Sequence, residues 1–185
     1  MKNLLIPLSV LLSVGGAHAD SSPQHTLAQF YARELTQPST GLPSDAQRDQ
    51  LGTVFSPVLI TLLRQAKAAE TLCINKAPAG DKPDLLEGNL YTGIYEEASE
   101  VVYTEQTING TQAVAGVQLL YADPRFPKGH PNRTAASTLR VLLHQEKGRW
   151  LIDDLLFSGR AETQLTKTLQ DYISNCSNLS DNSKP

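Results

Sequence analysis

Hydrophobic positions change period along this chain, from three-and-four spacing to alternation and back to three-and-four spacing, and each change predicts an element. From Thr26 to Leu35 the residues Leu27, Phe30, Tyr31 and Leu35 lie on one helical side. A Pro/Ser/Gly-rich break follows from Pro38 to Ser44. Ser56 and Pro57 then supply an N-cap and a first-position proline, after which Leu59, Leu62, Leu63, Ala66, Ala69 and Cys73 return at helical spacing. Lys76 to Pro83 reads as a linker, and Asp84 to Glu97, DLLEGNLYTGIYEE, as a turn leading into a short helical piece. Alternation takes over from Glu100 to Ile108, Asn109-Gly110 is a hairpin signal, and Thr111 to Tyr121 reads as the partner strand. In that strand Val114, Gly116, Gln118 and Leu120 oppose Ala113, Ala115, Val117, Leu119 and Tyr121. A loop from Ala122 to Ser137 follows.

The most diagnostic stretch is Leu139 to Phe157, LRVLLHQEKGRWLIDDLLF. Leu139, Val141 and Leu143 share one face of a strand, Glu146-Lys147-Gly148 turns the chain, and Trp150 and Ile152 begin a second strand. Strict alternation would place Asp154 and Leu156 beside them. If Leu155 and Phe157 share that face instead, the phase slips by one residue, as a bulge at Asp153-Asp154 would cause. Leu165, Leu169, Tyr172, Ile173 and Cys176 then form a last helical stripe, and 177–185 reads as a disordered tail. Helices, an antiparallel meander and a C-terminal helix argue an α+β domain, with the N-terminal helices packed on one face of a curved antiparallel sheet.

The N-terminus sets the expected compartment. Lys2 precedes an apolar core from Leu4 to Val14, and Ala17-His18-Ala19 matches the small-x-small rule, so residues 1–19 read as a signal peptide cleaved after Ala19. The apolar run falls short of the roughly 20 residues a membrane helix needs. No cysteine follows the cleavage site to carry a lipid. Of 185 residues, 166 remain after cleavage; losing Lys2 leaves 15 basic against 19 acidic side chains, a net charge of −4. That length suits one domain over 20–176, and the charge argues against nucleic acid as a partner.

Cys73 and Cys176 are the two cysteines, each at the end of a helical stripe. In an exported chain such a pair is expected to be joined; the rival reading is two separate buried thiols.

The run Gly148-Arg149-Trp150-Leu151-Ile152-Asp153-Asp154-Leu155, the Asp84-Leu85-Leu86-Glu87-Gly88-Asn89 turn and the helix ending in Cys73 together resemble an exported bacterial family, domain-of-unknown-function family 3828, over roughly Leu27 to Tyr172. That family is similar to the nuclear-transport-factor-2-like or cystatin-like α+β cone. The resemblance implies a fold and an exported setting, with no established reaction. Many relatives are lipid-anchored, and this chain lacks the cysteine for that.

Asp153 and Asp154 are the first candidates for chemistry, since paired carboxylates do acid-base work when their environments differ. Neighbours on a regular strand point to opposite faces, which favours a structural role: the carboxylates accept hydrogen bonds from bulge N–H groups or from a helix start. Trp150 and Ile152 are read as structural beside them. His25, His130 and His144 lack partners at metal-motif spacing, and His144 is expected to be solvated. No nucleophile elbow or phosphate loop appears, so no catalytic residue, metal or cofactor is assigned.

Binding candidates lie in two places. The loop carries Arg125, Phe126, Lys128, His130 and Arg133, a cationic and partly aromatic lip; Tyr91 and Tyr95 form a second mixed surface. The reading that follows is a noncatalytic periplasmic binding or adaptor module whose partner is a protein or a small molecule. Its alternatives are an immunity-type inhibitor of a periplasm-delivered toxin, and a small cone-fold isomerase or hydrolase using Asp153 or Asp154.

Overall fold

The computed structural model describes residues 22–77, 85–86, 88–93, 97–127, 130–131, 134–158 and 163–178. The signal-peptide reading, and with it Lys128, Arg133 and Tyr95, falls outside them. Three helices come first. In α1 (Pro23–Thr36) the Ser22 side chain accepts from the His25 N–H, and Leu27, Phe30, Tyr31 and Glu34 are buried. Seven residues form α2 (Asp45–Leu51), which the hydrophobic pattern does not predict. Its signal lies in the cap: Ser44 and Gln47 form a reciprocal capping box. Ser56 and Pro57 start α3 (Pro57–Lys76) as the sequence indicates, with Leu59, Leu63, Ala66, Ala69 and Cys73 buried.

Five strands follow in sheet order β1-β2-β3-β4-β5, all antiparallel: β1 (Glu100–Asn109), β2 (Gln112–Ala122), β3 (Thr134–Glu146), β4 (Arg149–Phe157) and the short β5 (Thr163–Gln164). The β1–β2 turn has one positive φ, +59° at Gly110 in its first central position, the II′ pattern. Between β3 and β4 both central residues are left-handed, Lys147 at +51° and Gly148 at +77°, the I′ pattern. Strand β2 runs to Ala122 and β3 starts at Thr134, inside the loop expected over 122–137, because pairing continues from Ala122↔Thr134 inward.

Two bulges shape the sheet. In β4 Leu143 faces Ile152 while Leu142 faces Asp154, so Asp153 is the extra residue. The phase slips there, and Trp150, Ile152 and Leu155 all join the core, with Phe157 packed against it. In β1 the register jumps from Tyr103↔Val117 to Gln106↔Ala115, which sets Thr104 and Glu105 against Gly116. A Cβ at Gly116 would run into the Thr104 side chain and lie 3.1 Å from Glu105 Cγ, so the bulge requires glycine opposite it.

The chain closes with α4 (Leu165–Asn178), which extends two residues into the expected tail. Its Leu165, Leu169, Tyr172 and Cys176 join α1 and α3 in a single core cluster with the inner-face residues Ala113, Ala115, Val117, Leu119, Leu139, Val141 and Leu143. Cys73 and Cys176 are disulfide-bonded, tying the ends of α3 and α4 together. Among the described residues of 85–97 no helix forms. Leu90–Thr92 is a turn in which Asn89 Oδ1 accepts from the Tyr91 N–H at 2.8 Å, with Gly88 and Gly93 at positive φ on either side.

Candidate functional site

All core-facing strand residues look toward the helices, so register alone assigns the opposite face. Paired residues share a face, which places Gln112, His144 and Leu151 in one outer row. Val114, Leu142 and Asp154 make the next row, and Gly116, Arg140 and Leu156 a third. The bulge adds Asp153 to this face: a slip that keeps both Ile152 and Leu155 inside turns both aspartates outward.

There the two carboxylates diverge in use. Both oxygens of Asp153 lie 2.8 Å from His144 Nδ1. Facing a carboxylate, Nδ1 acts as the donor, which leaves Nε2 as the acceptor of the neutral ring. Nε2 stands 3.9 Å from Glu146 Oε2. His144 is therefore paired and half-buried, not simply solvated, because the bulge brings Asp153 over to it. Asp154 instead caps α4. Its Oδ1 accepts from the N–H of Leu155 at 2.8 Å and of Thr166 at 3.0 Å, and Oδ2 from the Thr166 hydroxyl at 2.5 Å. A carboxylate at a helix start satisfies orphan N–H groups and complements the dipole.

The β2–β3 loop is organised by a residue the charge reading passed over. Asp123 is buried, and its carboxylate accepts from the Arg125 backbone N–H at 2.9 Å, from Nε at 2.9 and 3.0 Å, and from Nη2 at 2.6 Å. The Arg125 side chain is exposed and its guanidinium pairs with Asp123 within the loop. Phe126 and His130 stack with ring centroids 4.7 Å apart and planes 13° from parallel. Tyr91 is also corrected, since it is wholly buried and meets Phe30 and Phe55 edge-on, with centroids 5.6 Å away.

Sequence reasoning missed Glu34. It is 4% exposed on the inner side of α1, where its carboxylate accepts from the Ser39 N–H at 3.2 Å, the Ser39 hydroxyl at 2.9 Å and Asn89 Nδ2 at 3.3 Å. Burial pushes its pKa up, against the pull of those hydrogen bonds and of the Arg33 charge. The Tyr31 and Tyr91 hydroxyls, also raised by burial, make no hydrogen bond among the described residues. Glu34 thus joins α1 to the loops at Ser39 and Asn89, which a direct Gly41 N–H to Gly88 C=O bond of 2.7 Å also links. The missed signal was its place seven residues after Leu27, in line with Phe30 and Tyr31.

No group of three or more His, Cys, Asp or Glu among the described residues is placed to hold a metal ion. No described helix is long and apolar enough to cross a membrane. No protein-family model, curated protein or solved structure matches this chain.

Proposed function

We propose that the chain is a noncatalytic, exported binding or adaptor module that recognises a protein or small molecule in the periplasm. The observation that carries this reading is the outer face of the sheet over β2 and β3. Along β4 that face is covered, with Leu151, Asp154 and Leu156 buried, but over β2 and β3 it carries, among the described residues, Val114, 36% exposed, beside the half-buried Leu142. Apolar side chains grouped on a broad, rigid face mark an interaction surface more often than a scattered exposed residue does. The disulfide supports export. The test is capture from periplasmic extract on the immobilised protein, identified by mass spectrometry, beside a Val114→Arg variant of unchanged circular dichroism. Specific capture that the variant loses is the expected result. No specific capture by the wild type, or capture that Val114→Arg leaves intact, rejects this face as the binding surface.

A second reading, a small isomerase or hydrolase, is favoured by one observation: the His144–Asp153 pair, whose Nε2 stands 3.9 Å from Glu146 Oε2 on a half-buried ring. Asp153 is its carrier, because Asp154 is engaged by α4. Turnover of a substrate abolished by both His144→Ala and Asp153→Asn, with the fold intact, would establish it.

A further inference from the structure

We propose that β1, at the open edge of the sheet, and the hollow beside its bulge dock an extended, lysine- or arginine-bearing segment of a partner protein as an added strand. This rests on the binding-module reading above. An edge strand leaves alternate N–H and C=O groups without a ladder partner. The other margin of the sheet is closed: β5 pairs with β4, and the Ser56 N–H and Val54 C=O bond to Ile152, both at 2.8 Å. By contrast β1 pairs with β2 alone, and Thr104 to Asn109 are exposed throughout. The strand contains neither proline nor lysine, two usual guards of an edge, although its bulge is a third.

The bulge contributes more than a bend. Beside it lies a hollow of about 100 Å³ lined by Leu27, Tyr103, Glu105, Gln106, Ala115 and Gly116, among others. Small-molecule sites run to roughly 300–1,000 Å³, so this hollow suits one inserted side chain. Tyr103 to Gln106 at the bulge form one wall of it and Gln24 and Leu27 of α1 another, so it adjoins the edge with which an added strand would pair. Charge then selects the occupant. From Glu97 to Ala122 the chain has Glu97, Glu100 and Glu105 and no lysine or arginine. A second copy would set acidic strand against acidic strand with no cation between, which like-charge cross-strand pairing disfavours. A cationic segment matches, with an apolar-stemmed Lys or Arg entering the hollow and its charge at Glu105.

The experiment titrates the purified protein with two short capped peptides, one alternating lysine and valine, the other glutamate and valine. Binding is followed by calorimetry, and backbone amide exchange by NMR. The basic peptide is expected to slow exchange at alternate amides of β1 and to bind at least about tenfold more tightly than the acidic one at low salt, with the preference shrinking as salt rises. Glu105→Gln should weaken the basic peptide and Glu105→Lys weaken it further, both with unchanged melting temperature, since Glu105 is exposed. Equal affinity for both peptides, no slowing on β1, or β1 protection that appears without peptide as the protein dimerises overturns the proposal. If these failures occur while capture from extract persists, the edge assignment falls alone; if capture is absent as well, the binding-module reading falls with it.

Discussion

Glu34 and Asp154 are both buried acids, Glu34 on the core side of α1 and Asp154 on the outer face of β4, and they place different demands on the fold. Glu34 has its folded-state pKa raised by burial, so the folded protein holds a proton that the unfolded chain has released. The stabilisation from that proton is complete below the unfolded value, near 4.5, and is lost as pH rises through the folded-state value. Denaturant midpoints of the wild type should therefore fall, relative to Glu34→Gln, as pH rises above about 4.5, and the gap should narrow in acid. A parallel pair of pH curves would contradict the assignment. Asp154→Ala removes the cap of α4 and strands the Thr166 N–H and hydroxyl, with an expected loss of about 1 to 2 kcal/mol by chemical denaturation. Asp153→Asn, at a partly exposed pair, should cost under about 1 kcal/mol. At this scale Asp154 was visible in the sequence as a bulge and helix-start device, whereas the His144–Asp153 pair was not. Partnering across two strands depends on register, and residues nine apart in sequence carry no mark of it.

Elements were legible where local chemistry acts alone. The caps at Ser56-Pro57 and the hairpin glycines announce α3 and both turns, because capping and left-handed φ are set by neighbouring residues. Lys147 is the exception, a side-chain-bearing residue at φ +51° where asparagine or glycine is preferred. Lys147→Asn is accordingly expected to raise stability by about 0.5 to 1 kcal/mol with the β3–β4 register unchanged, read from thermal melts and amide exchange. A lower melting temperature would show that the turn gains from lysine in some other way. Around 84–97 the local signals misled, since the segment mixes apolar residues with helix formers. Its described part is held as a turn by Asn89, by Gly88 and Gly93, and by the burial of Tyr91 among Phe30 and Phe55. That burial is a tertiary event, so it outweighs a weak helical preference.

For the whole molecule, the Cys73–Cys176 bond joins positions 103 apart in sequence and so encloses all five strands of the sheet. On the chain-entropy account it contributes about 4 to 5 kcal/mol, so Cys73→Ser with Cys176→Ser should lower the unfolding free energy by that order. A double variant as stable as the oxidised wild type would refute the role. Sequence alone determined the α+β order, the hairpin turns and the face shared by Leu139, Val141 and Leu143, and it favoured a Cys73–Cys176 bond over two separate thiols, because hydrophobic period and residue type are local quantities. Tertiary structure alone decided that Glu34 is interior, that Asp123 neutralises Arg125, that Asp153 reaches His144, and that β1 is left as the open edge. Each of those depends on which distant segment packs or pairs beside a residue, and burial and hydrogen bonding act between neighbours in space, whatever their separation along the chain.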